Sequence, residues 1–360
     1  MNKEIIYLAG AHSRAATMGY YLQYLEPSTK ILAYLYDNEE PNPKEINGVP
    51  VLKITPETEL ETDATVYIAT RGVNHAHLRE TLMKCGMENI IPVDVNLDLK
   101  IRNRFLKKYY EAAGREFLKL EECDFAEGQD ERTTKVYVAS SAFDKPLQTP
   151  YQLASYEKII QVGASLTDKR LDTDCTDNEG ENISDRNTQF CELTGLYWIW
   201  KHATDDIVGL EHYRRHFILP DKWGERFIGN GIDVVLPTPL YVSPSLAENY
   251  RYRHIESDWT FMMNTLGEIH SDDYEMAKDF FEKNATYSPC NMFIMKKNIL
   301  DDFCEWLFPV LFACADHIGE REDPYQNRYP GFLSERLMSY YFDSKREKYK
   351  IVYCDKDFRQ

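Results

Sequence analysis

The chain has 360 residues, enough for two domains of ordinary size. Its 43% hydrophobic and 13% aromatic content argues against global disorder. With 42 Lys plus Arg against 59 Asp plus Glu, the net charge of -17 gives little attraction to nucleic acid, so no nucleic-acid partner is expected.

The first segment alternates strand and helix patterns. Apolar runs at residues 4–9, 31–36, 64–69 and 89–92, with a short strand at 48–51, flank helical stretches after Gly10 and at 75–85. This pattern predicts a parallel sheet with crossover helices, a small Rossmann-like domain over residues 1–122 that ends in a connecting helix at 98–122. Its first turn reads GAHSRA, so Gly10 and Gly19 do not complete a dinucleotide fingerprint, although Asp37 ends the second run as a ribose-binding acid would. The basic stretch Lys100 to Lys108 reads as a solvated helix face.

A polar stretch at 123–134 marks the boundary, and a second domain is expected over 135–360. It opens with a strand at 135–140 ending at Ser140, and a second apolar stretch ends at Gly163; such strand ends suit a nucleotide pocket. The polar loop carrying Asp177, Asn182 and Ser184 leads into a helix beginning near Ser184, with Asn187 in its first turn. A helix start offers unpaired N–H groups to a diphosphate. Another apolar strand delivers Glu211, His212, Tyr213, Arg214 and Arg215. Arginine forks bind diphosphate oxygens in pairs and are rarely buried alone. Strand alternation would point Arg214 and Arg215 to opposite faces, one to the donor and one to an acid such as Glu192. Further on, a strand bears Asn291, and a helix after a Pro-Gly turn carries Glu335 and Arg336 near its start. Glu335 suits a general base or, in the structural reading, a first-turn acid paired with Arg336.

The eight cysteines form no CxxC and no zinc-spaced cluster, which fits buried free thiols in a reducing cytoplasm. The start is no signal peptide, and no run reaches the length of a membrane helix, so any membrane contact is expected to be peripheral.

Together these segments resemble a family common in capsule and O-antigen gene clusters, once listed as a domain of unknown function and associated with galactofuranosyl transfer. The resemblance covers about 135–343. It rests on Asp177, Gly180, Asn182 to Ser184, Asn187, Cys191 to Thr194 and Leu196 to Trp200; on Gly209, Leu210, His212 to Arg215 and Phe217; on Asn291 to Met295; and on Gly331 with Leu333 to Leu337. It implies a GT-A-like α/β glycosyltransferase domain in the cytoplasm, at the inner face of the membrane. The implied donor is UDP-galactofuranose, with a surface-polysaccharide acceptor that is often lipid-linked. The expected roles are Glu335, His212 and Glu211 in catalysis, Ser140, Gly163, Asp177, Asn182, Ser184, Asn187, Arg214 and Arg215 at the nucleotide, and Asn291, Glu192 and Arg336 at the acceptor sugar.

The leaving diphosphate needs neutralising by a metal or by cationic side chains. The acid pair Asp172 and Asp174 lacks a strong strand before it, so the residues favour His212 and an arginine in the metal's place; Mg or Mn is the type expected if an ion binds. Other UDP-hexose donors, a nicotinamide-dependent oxidoreductase and a non-catalytic assembly protein are the rival readings. Oligomeric state is left open, with a homo-oligomer allowed.

Overall fold

The β-branched and aromatic runs become strands, and the segments between them wind into helices that bury one face. The structure, a computed structural model, describes residues 4–125, 132–149, 151–173 and 175–359. The chain divides into two units, Met1–Phe117 and Leu118–Gln360.

In the first unit, β1 (Ile5–Ala9), α1 (Ser13–Leu25), β2 (Lys30–Tyr36), β3 (Glu45–Ile46), β4 (Val49–Lys53), β5 (Thr65–Ile68), α2 (His75–Lys84), β6 (Ile90–Pro92) and α3 (Val95–Ala112) follow in order. The sheet runs β3-β4-β2-β1-β5-β6, parallel throughout except for β3. Gly19 explains the tight seating of α1: a Cβ there would lie 2.7 Å from Leu8 Cδ1 and from the Tyr34 hydroxyl. Asp37, at the end of β2, accepts a hydrogen bond from Thr81 Oγ1 at 3.2 Å and faces His77 Nε2 at 3.2 Å, both on α2. Both partners fall on Asp37 Oδ2, one of the two oxygens that a ribose would use. The connecting helix begins at Val95, earlier than its pattern predicts, because Asp94 caps it by accepting from Leu97 N at 2.8 Å, and it ends at Ala112, ahead of Gly114 with its left-handed φ of 66 degrees.

The second unit contains β7 (Thr134–Ser140), β8 (Glu157–Gln161), α4 (Asn187–Phe190), α5 (Leu193–His202), β9 (Ile207–His212), α6 (Trp223–Gly229), β10 (Val234–Pro237), β11 (Leu240–Tyr241), α7 (Leu246–Arg253), α8 (Glu256–Ile269), α9 (Ser271–Lys283), β12 (Thr286–Tyr287), β13 (Phe293–Lys296), α10 (Lys297–Ile318), α11 (Tyr329–Ser344) and β14 (Ile351–Cys354). Its main sheet has the order β14-β10-β13-β9-β7-β8. β7, β8 and β9 are parallel, whereas β13 runs antiparallel to both β9 and β10, with Phe293 opposite Leu210. This mixed sheet between helical layers is a GT-A-like α/β architecture. One face is packed by Val136, Ile207, Phe217, Phe227, Val235, Ile294 and Val352, and Leu120 and Cys123 join that core. Elsewhere Phe293, Phe303 and Phe308 are fully buried, and fully burying one such side chain contributes about 2–3 kcal/mol. Among the described residues no helix is long and apolar enough to cross a membrane.

Candidate active site

The carboxyl ends of β7, β8 and β9 lie along one edge of the second sheet, the edge at which open α/β sheets bind ligands. Because β13 is reversed, its amino end arrives at the same edge and brings Cys290 and Asn291. These two residues precede the strand and both have left-handed backbone, φ 76 and 50 degrees, so Asn291 lies outside the strand that its apolar context predicts. Two adjacent non-glycine residues in this region carry strain, which is often held at functional sites.

Cys290 is the hub of the site. Its carbonyl accepts from His212 Nε2 at 2.7 Å, and its N–H donates to Glu335 Oε1 at 2.6 Å. A carbonyl only accepts, so the His212 proton sits on Nε2 and Nδ1 is left to accept from Arg215 Nη1 at 3.4 Å. Burial holds His212 below the ordinary histidine pKa, and the nearby Arg215 acts in the same direction, so the ring is neutral. Burial raises Glu335 above the usual glutamate value, against the pull of Arg336 and of the Cys290 amide. Arg336 donates to Glu335 Oε2 at 2.8 Å. Asn291 donates to Glu192 Oε1 at 2.8 Å and to the Gly331 carbonyl at 3.2 Å.

The helix bearing Glu335 starts at Tyr329 and takes Pro330 into its first turn, where a missing N–H costs nothing. Glu335 therefore stands in the second turn, not at the helix start, and a dipole pairing does not explain it. Arg336 is 2% exposed, with its guanidinium 4.3 Å from the Tyr287 ring centre; it backs Glu335 and does not open to an acceptor.

β9 stops at His212, and Tyr213 and Arg214 form a turn closed by His212 N to Arg215 O at 3.0 Å and Arg215 N to His212 O at 2.9 Å. The arginines are thus turn residues and do not alternate across a strand. Arg214 donates to the Lys145 carbonyl at 3.4 Å, and Arg215 lies over the Phe358 ring. Among the described residues neither arginine forms an ion pair with a carboxylate, although Arg214 is near enough to Asp144 to act on its charge, and Glu192 is held by Asn291 instead.

The loop predicted to hold the nucleotide folds differently from its pattern. Asp177 is fully buried and accepts from Gly163 N at 2.8 Å, Ala164 N at 3.0 Å, Thr194 Oγ1 at 2.6 Å and Ser184 Oγ. Gly163 needs its left-handed φ of 67 degrees, and a Cβ there would come within 2.7 Å of Asn187 Oδ1. Asn187 donates to the Cys191 carbonyl at 2.7 Å and to Thr194 Oγ1 at 2.8 Å. Asn182 accepts from Ser184 N at 3.1 Å and donates to the Gly180 carbonyl at 2.8 Å. Ser184 opens a 3-10 turn and caps no helix; the four-residue α4 then breaks at Cys191, φ 47 degrees, before α5 begins. This group is an internal latch for the loop after β8. Ser140 ends β7 at the sheet edge and is 9% exposed.

Glu211 is the predicted catalytic residue that the structure takes away from the site. It follows β9 alternation onto the face opposite His212. There it is 1% exposed and accepts from Phe217 N at 2.7 Å, with His216 Nδ1 3.1 Å away. Glu157, Glu211 and His216 offer three ligand-type atoms within 4.8 Å of one another. However, His216 shares its N–H with both carboxylates, and the group is sealed. Asp172 is exposed, and Asp174 lies outside the described residues.

The pattern gave no sign of Cys290, which acts through its backbone. Nor did it mark Arg328, whose Nε lies 3.0 Å from Cys191 Sγ, or Phe143, 72% exposed in the loop after β7. A surplus arginine ahead of a helix was the available signal for Arg328. Six of the eight cysteines are buried, whereas Cys191 and Cys290 are half-buried at the site.

No curated protein matches the chain. Among solved structures it is similar to the apo structure of the bifunctional glycosyltransferase WbbM, with 25% identity and a TM-score of 0.54. The likeness covers 63% of this chain and 45% of that one, so the chain spans less than half the length of that protein. A family model matches residues 135–346, more than half of the sequence, and the chain belongs to that family, described as Domain of unknown function (DUF4422).

Proposed function

We propose that the second unit is a glycosyltransferase that moves a hexose from a UDP-sugar onto a glycan acceptor. The observation that carries the reading is the turn Tyr213–Arg215, two cations in no carboxylate ion pair among the described residues, joined through His212 and Cys290 to a half-buried carboxylate with a raised pKa. The likeness to the bifunctional glycosyltransferase WbbM supports the same reaction class. The resemblance to galactofuranosyl enzymes makes UDP-galactofuranose the first donor to test, ahead of UDP-galactose and UDP-glucose. A surface polysaccharide, lipid-linked at the cytoplasmic face of the membrane, is the proposed acceptor.

In this mechanism the acceptor hydroxyl attacks the anomeric carbon and Glu335 takes its proton. The bond from that carbon to the UDP oxygen breaks as the new glycosidic bond forms. Arg214 and Arg215 meet the charge of the leaving diphosphate, since guanidinium groups bind phosphate oxygens bidentately. His212 is neutral and orients Arg215 through Nδ1. Phe143 offers an exposed ring to the base. A hard ion such as Mg or Mn would need free carboxylate oxygens. Both Glu335 oxygens already accept, from the Cys290 amide and from Arg336, and Glu192 accepts from Asn291 on Oε1, which leaves Glu192 Oε2 as the one oxygen of the pair with no hydrogen bond among the described residues. These residues fit a cation-neutralised leaving group better than a metal-bridged one.

Mass spectrometry of reactions with a panel of UDP-sugars and synthetic acceptors tests the proposal. Transfer from one donor with release of UDP is the expected result. UDP that neither binds nor raises the melting temperature would overturn it.

A further inference from the structure

On the face of the sheet opposite His212 lies a charge triad that the mechanism does not use. The side chains of Glu157, Glu211 and His216 are 1–2% exposed. The His216 Nδ1–H is shared between Glu157 Oε1 at 3.0 Å and Glu211 Oε2 at 3.1 Å. Its Nε2 is buried without a hydrogen-bond partner among the described residues, so its hydrogen bonds run to the two carboxylates, with the Tyr151 ring packed 4.3 Å away. We propose that His216 is a positioning residue for the donor site, clamping the Tyr213–Arg215 turn from beneath through Glu157 and Glu211. The inference rests on the donor-binding reading above.

The connections run to both sides of the turn. Glu211 directly precedes His212 and also accepts from Phe217 N, so the residues before and after the turn are tied to one carboxylate. Glu157 anchors that pair to β8, and is itself held by Ala154 N at 2.6 Å and by the Tyr151 hydroxyl. The last described residues close the frame. His216 N donates to Asp357 Oδ1 at 3.1 Å, Asp357 N to the His216 carbonyl at 2.9 Å, and Arg359 N to the Arg214 carbonyl at 2.8 Å. The Arg359 guanidinium packs 3.6 Å from the centre of the Tyr151 ring.

A buried charge cluster is a weak source of stability, because well-packed apolar groups in its place are often as stable or more so. What it supplies is a fixed geometry. Charge-assisted contacts with defined directions allow one arrangement of the loop that apolar side chains would let slide. No substrate can reach the triad, so its effect passes through the backbone of residues 211–217 to Arg214 and Arg215.

The test uses the full chain. His216→Gln and Glu157→Gln are compared with Phe227→Leu, a change in the fully buried core of the same unit. UDP affinity is read by calorimetry, donor KM and kcat by turnover, and the order of the turn by amide hydrogen exchange over residues 212–217. Both triad variants are expected to raise the UDP Kd and donor KM about tenfold, with kcat changed less than about threefold, and to speed exchange in the turn. Phe227→Leu should lower the melting temperature without moving Kd. Folded triad variants that bind UDP like the wild type would overturn the clamp, as would a Kd raised equally by Phe227→Leu. If His216→Gln fails to fold, Glu157→Gln carries the test. A wild-type chain that binds no UDP would fail the donor reading instead, and turn exchange would still report the clamp.

Discussion

His212 and Glu335 hold the two backbone polar groups of one residue: the histidine donates to the Cys290 carbonyl, and the glutamate accepts from the Cys290 N–H. A strand end and a helix more than a hundred residues apart in sequence are thereby fixed relative to each other with no direct contact between them. Displacing Cys290 should disturb both the proposed base and the ring that orients Arg215.

Replacing Glu335 with Gln keeps the shape of the Cys290 contact and removes the proton acceptor. The rate constant kcat should fall by about 10²–10⁴, while UDP affinity stays near wild type. Burial raises the Glu335 pKa. Glu335 must be ionised to act, so activity should be lost on the acid side through a value above the ordinary ~4.3 for glutamate. A kcat/KM profile from pH 4 to 8 checks this limb, and an activity that persists in the Gln variant removes Glu335 from the role.

Arg214→Ala and Arg215→Ala should each weaken UDP binding, to unequal extents. A charge-assisted hydrogen bond contributes about 1.5–3 kcal/mol, so a loss of roughly 10- to 100-fold is expected for the one nearer the diphosphate. Arg215→Ala should also free His212 Nδ1 and so raise the histidine pKa, since Arg215 helps to hold it down. Calorimetry and NMR titration of His212 measure the two effects.

The pH dependence of stability should carry the signature of His216. Although burial opposes its charged form, Glu157 and Glu211 raise its pKa from 6.5 to about 9; the nearby Arg359 lowers it, and Tyr151 completes the surroundings. A raised folded-state value stabilises the protein fully below the unfolded pKa and is lost as pH climbs through about 9. The loss amounts to about 3 kcal/mol. Thermal melts should show a falling Tm from pH 7 to 10, and His216→Gln should flatten that slope.

Gly163→Ala should destabilise the loop after β8. The left-handed backbone costs a non-glycine residue about 1–2 kcal/mol, and the new methyl must displace Asn187. A Tm lowered by a few degrees with a normal far-ultraviolet spectrum is the expected result. EDTA should leave transfer unaffected where arginines neutralise the diphosphate; abolished transfer would restore a metal to the site.

Much of the fold was legible because its strands announce themselves. The run IVGLEH at β9 and the run KVYVAS at β7 could scarcely be anything else. The site was only partly readable. His212 and Glu335 stood out as chemistry-bearing side chains, yet what joins them is the backbone of Cys290, which no side-chain pattern reveals. Asp177 and Ser184 look like a ligand loop because buried latches use the same short polar residues as anion sites. Glu211 misled for a different reason. Its neighbour His212 faces the site, but a strand turns alternate residues to opposite sides, and only the sheet's surroundings say which side is open.

The direction of β13 has a consequence for how this edge could be assembled at all. A four-residue strand advances about 13 Å. Threaded the other way, it would have left Cys290 and Asn291 about that distance away, at the rim beside Ile207. Glu335 would then have no amide to hold and Glu192 no amide donor. A single reversed strand therefore sets which stretches of sequence can share one chemical neighbourhood. Relatives that keep the motifs but invert that strand should be inert.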